Sequence, residues 1–74
     1  MKEQLTQYLE MEYKALQQAL ANKDWPFNRA RTVENAIQRC LGAAQIVQGM
    51  GITYEEAATL FETYKDKLTE LLDR

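Results

Sequence analysis

The chain of 74 residues contains no histidine, one cysteine, one proline and three glycines. Without histidine the commonest metal ligand and the commonest general base are both missing. A single cysteine excludes an internal disulfide, and a cysteine-poor sequence fits a reducing compartment, so a cytoplasmic location is expected. Strongly apolar runs are also lacking. No stretch approaches the ~20 apolar residues of a membrane span, and Met1-Lys2-Glu3-Gln4-Leu5 does not read as a signal peptide, so no membrane association is expected. Cofactors and metals are not expected either.

Excess charge of one sign is scarce too. The net charge is -2, with residues 1–23 balanced, residues 24–51 slightly positive and the remainder acidic. No basic patch emerges, which weighs against binding that rests on phosphate neutralisation.

What the sequence does contain is helical periodicity. Leu5, Leu9, Leu16 and Leu20 recur on one stripe of a first helix over about residues 2–21, with Tyr8, Tyr13 and Ala19 beside it. A second helix over about residues 26–49 presents Val33, Ala36, Ile37, Cys40, Ala43, Ala44 and Val47. A third over about residues 53–72 presents Ala57, Leu60, Phe61, Tyr64, Leu68, Leu71 and Leu72. Asp24 and Pro26 mark the first break, since proline suits a first helical turn and the residue before it resists the helical conformation. Gly49 and Gly51 mark the second, followed by Thr53 and Glu56 at capping-box spacing.

Three helices of roughly 20 residues, each ~30 Å long, with short connections predict an all-α, up-down-up three-helix bundle forming one domain over residues 1–74. A chain this short buries only ~60% of its unfolded surface, so a homodimer that completes the core is expected as an alternative to the free bundle.

Candidate functional residues fall into four groups. Glu12 lies inside the apolar stripe of helix 1, where a carboxylate needs a partner. Arg29, which projects onto the apolar side of helix 2 near its start, is the preferred one, and breaking a buried pair of this kind would cost ~3–5 kcal/mol. Trp25 and Phe27 flank Pro26 and can plug the bundle or anchor a partner, tryptophan being enriched at interface hot spots. Gly42 and Ile46 lie on the polar side of helix 2 beside Asn35 and Arg39, which raises the prospect of a contact there, because an interior glycine costs ~1 kcal/mol relative to alanine. Glu55, Glu62, Asp66 and Asp73 fall within roughly 40° of one another on helix 3 and form an acidic stripe suited to a basic partner or to solvent.

Ile46 to Thr53 loosely resembles the turn of a helix-turn-helix, with Ala57 and Leu60 as inward positions. Such a motif would present Tyr54, Glu55, Glu56 and Thr59 to nucleic acid, and the two carboxylates would repel phosphate. No nucleophile with an adjacent base stands out, so no enzymatic activity is expected. The favoured reading is a small protein-interaction module, such as an adaptor, inhibitor or assembly subunit, whose partner is another protein or a second copy. The alternative is a dimeric nucleic-acid-binding regulator using helices 2 and 3, with Arg29, Arg31 and Arg39 on phosphates.

Overall fold

In the computed structural model, residues 2–73 are described; Met1 and Arg74, the ends of the expected domain, lie outside the described residues. Three helices, α1 (Lys2–Ala21), α2 (Arg29–Val47) and α3 (Tyr54–Glu70), pack against one another and a 3-10 turn, Leu71–Asp73, finishes α3. The predicted all-α three-helix bundle is the fold observed.

Helix α2 is shorter at both ends than its periodicity suggests. The N-cap is Asn28, two residues after Pro26. Its extended backbone (φ -63°, ψ 124°) lets its side chain accept from the Arg31 amide, which leaves Trp25-Pro26-Phe27 outside the helix. At the other end Gly49 and Gly51 take φ of +85° and +93°, a region open to glycine at little cost. The chain therefore turns two residues before the expected end, with the Gly49 amide donating to the Ile52 carbonyl and the Met50 amide to Val47. That closure buries Ile52, a core residue that the helical stripes did not include. Thr53 then opens α3 with a complete capping box. Its hydroxyl accepts from the Glu56 amide at 3.1 Å, and the Glu56 carboxylate accepts from the Thr53 amide and hydroxyl. These bonds, the Thr53 hydroxyl first, hold the Glu56 carboxyl below its usual range.

The core is made of Leu5, Leu9, Leu16 and Leu20 from α1, small side chains Ala36, Cys40 and Ala44 with Val33 from α2, and Ala57, Tyr64 and Leu68 from α3, closed by Ile52 and Leu71. Leu72, expected inward, is 39% exposed because the chain tightens into the 3-10 turn before reaching it. Helices α1 and α3 run parallel with an offset that never slips. Lys2 meets Glu56 at 3.7 Å, the Tyr64 hydroxyl donates to Glu10, and Lys67 lies 4.7 Å from the Tyr64 ring centroid and 5.6 Å from that of Tyr13. The Tyr64–Glu10 bond spans 54 residues of sequence, and the same spacing separates Lys2 from Glu56 and Tyr13 from Lys67.

Two measurements test this account. Thr53→Ala removes the cap and should cost about 1 kcal/mol, lowering Tm by about 4–8 °C in a thermal melt followed by circular dichroism, with Thr53→Ser near wild type. Alkaline pH should also destabilise the bundle. Burial, reinforced by the Glu12 charge, pushes the Cys40 thiol from 9.0 to about 11. The bond to Glu10, then burial, pushes Tyr64 from 10.0 to about 12. Both groups are raised in the folded state, so their contribution is intact below pH 9 and is lost as pH rises toward 12. Urea midpoints should stay level up to pH 9 and then fall, and Tyr64→Phe should remove the later part of the fall.

Candidate interaction surface

Where α1 and α2 lie side by side, antiparallel pairing decides which side chains meet. Arg29 is the first residue of α2 and so sits beside the last turn of α1, where its guanidinium donates to the Leu20 carbonyl at 2.8 Å. A cation on the exposed carbonyls of a helix C-terminus is well placed against the helix dipole. Glu12 lies two turns further back along α1, and its neighbour is correspondingly further along α2. The partner of Glu12 is therefore Arg39, not Arg29: Arg39 Nε and Nη2 donate to the carboxylate at 3.0–3.2 Å. The Glu12 hydrogen bonds raise the Arg39 pKa further, against a smaller opposing effect of burial. The pair is not buried as a unit, since the Arg39 side chain is 54% exposed and that of Glu12 17%. The ~3–5 kcal/mol of a buried pair does not apply to it.

Trp25 and Phe27 divide the two roles expected of them. Trp25 packs half-buried on the core and donates from Nε1 to the Thr32 hydroxyl at 3.2 Å. Phe27, stacked edge-on against it with ring centroids 5.1 Å apart, is 65% exposed. The exposed aromatic of the loop is thus Phe27. The indole found a polar partner one turn into α2, which let it fold inward. A shallow hollow between these rings and α2 takes in Arg31, Asn35 and Arg39.

The other end of the α1–α2 seam is apolar. Ile46 is 72% exposed and lines a groove with Gln4, Leu5, Tyr8, Ala43 and Val47. Met11, one turn along α1 from Tyr8, is 68% exposed. Desolvation, followed by the Glu12 charge, raises the Tyr8 hydroxyl above its usual range. Gly42 is half-buried, yet a Cβ added there would meet nothing within 4 Å, so no part of this chain requires a glycine at that point. Residues 40–54 contain no charged side chain. Hence α2 brings no charge to that end of the seam beyond Arg39, the groove has no charged lining residue, and Arg39 is neutralised by Glu12 at the margin.

Tyr8 and Met11 were not singled out from the sequence. The signal that could have found them is the uncharged run 40–54 read against α1 in antiparallel register. Glu55, Glu62 and Asp66 on α3 and Asp73 in the 3-10 turn after it are all exposed, away from the Ile46 groove, and among the described residues no group of three or more histidine, cysteine or acidic side chains converges to hold a metal ion. A second groove, between α2 and α3, is lined by Leu41, Tyr54, Ala58 and Phe61 and is bordered by Glu62. No described helix is long and apolar enough to cross a membrane.

No family model matches the chain, and neither the curated proteins nor the solved structures contain a significant match to it.

The half-exposed Glu12–Arg39 pair sets a testable energy. In a double-mutant cycle with Glu12→Gln and Arg39→Gln, the coupling from urea unfolding should be about 0.2–1 kcal/mol and should shrink in high salt. A coupling of several kcal/mol would contradict the exposed geometry.

Proposed function

We propose that this protein is a non-enzymatic protein-interaction module, of the adaptor, inhibitor or assembly-subunit kind, and that its contact surface is the α1–α2 seam around Ile46. The observation that carries this reading is the set of large exposed apolar side chains, Tyr8, Met11 and Ile46, beside a groove with no charged lining residue and with Glu12 and Arg39 paired at its margin. Single exposed apolar residues are ordinary, whereas a contiguous set with charge kept to the margin has the arrangement of an interface core and rim. Phe27 and Asn35 extend the same side toward the loop.

A non-enzymatic role is supported by the chemistry available there. Cys40 is fully buried and its thiol is pushed up to about 11, so it stays protonated and unreactive near neutral pH. Nucleic-acid binding draws less support, because two of the three arginines that would meet phosphates are engaged, Arg39 with Glu12 and Arg29 with the Leu20 carbonyl.

A photo-cross-linking residue placed at Ile46 or Met11, in cells expressing the protein, should give a discrete protein adduct. The same residue at Glu62 or Glu34 should give none. Adducts from Glu62 alone would move the contact to the acidic stripe, and no adduct from any position would sink the reading.

A further inference from the structure

The occupant of the seam can be argued from the seam itself. A two-fold pair brings a surface against its own copy, so that the patch must be self-complementary and any net charge on it is opposed by the same charge. Of the outer surfaces, α3 fails this condition, because the exposed acidic stripe of Glu55, Glu62 and Asp66 would face its own copy. The α1–α2 seam meets it. Its charges cancel within each chain through Glu12 and Arg39. Its relief also has both halves of a fit, with Ile46 standing proud and the small Ala43 leaving a hollow in the groove beside it.

Gly42 supplies a further reason. Glycine inside a helix is costly, and within one chain nothing comes close enough to demand it. A second helix crossing at that point would use the missing side chain to approach closely.

We infer that the chain forms a two-fold homodimer through the α1–α2 seam, with α2 crossing its counterpart beside Gly42 and Ile46 of each copy seated on the small-residue hollow of the other. This rests on the interaction reading above and names its partner as a second copy.

Sedimentation equilibrium and light scattering on the purified full chain, over a dilution series, should give twice the chain mass, dissociating on dilution. Ile46→Glu should weaken association by about tenfold or more, since it buries a carboxylate against an apolar surface. Gly42→Leu should also dissociate the pair while leaving helix content unchanged, because a Cβ at that position meets nothing within 4 Å in its own chain. Asp66→Lys, on α3, should leave the mass at twice the monomer. A dimer insensitive to both seam variants but altered by Asp66→Lys would overturn the inference. A monomer at every concentration would overturn it too, and the Ile46 cross-link then separates the two ideas. An adduct with a different protein leaves the interaction reading standing, whereas no adduct removes both.

Discussion

Close approach of α2 to its neighbours is the constraint on which the rest of the molecule depends. Ala36, Cys40 and Ala44 line the buried side of α2 and Ala57 faces the interior from α3, so backbones come together where leucines would hold them apart. The bundle that results is only 16 Å across in its two short dimensions. A section that narrow has an inside for one stripe per helix and no more. The leucines of α1 and Leu68 of α3 fill it, and Ile46, Met11 and Tyr54, set off those stripes, stay exposed.

Charge is then distributed around that narrow body by seam. The α1–α3 seam is polar and cross-linked, with an ion pair, a phenol-to-carboxylate bond and a lysine over two rings. The outer side of α3 is acidic and solvated, in the manner of a surface that keeps a small domain dispersed. The α1–α2 seam alone combines large apolar groups with internally cancelled charge. Differences among the seams, rather than any single residue, single out one side of the bundle for contact.

Features governed by neighbours in sequence were legible in advance. The leucine stripe of α1, the capping box at Thr53 and the glycine reversal at Gly49 and Gly51 each depend on residues within a turn or two, and each is found where the spacing put it. The partner of Glu12 was not legible, because choosing Arg39 over Arg29 requires the antiparallel register. That register depends on where α2 starts. Pro26 suits a first helical turn and puts that start near residue 26, yet Asn28 is the residue that caps. The same shift decides which loop aromatic turns inward, since Trp25 needs Thr32 within reach of its indole. Among candidate interface residues, Ile46, Gly42, Asn35 and Arg39 came from the pattern of α2 alone. Tyr8 and Met11 required a second helix to be laid beside them.

The constant offset between α1 and α3 carries a mechanical consequence. Parallel helices joined through an antiparallel one place the start of α1 and the end of α3 at opposite poles of a body 41 Å long. Tension applied through those two ends would run along the helix axes. All three seams would then be loaded in shear at once, and none could be peeled open one contact at a time. Lys2–Glu56, Glu10–Tyr64 and Tyr13–Lys67, spaced along the seam, would share that load as parallel rungs. A bundle this thin is therefore stiffest along its own long axis.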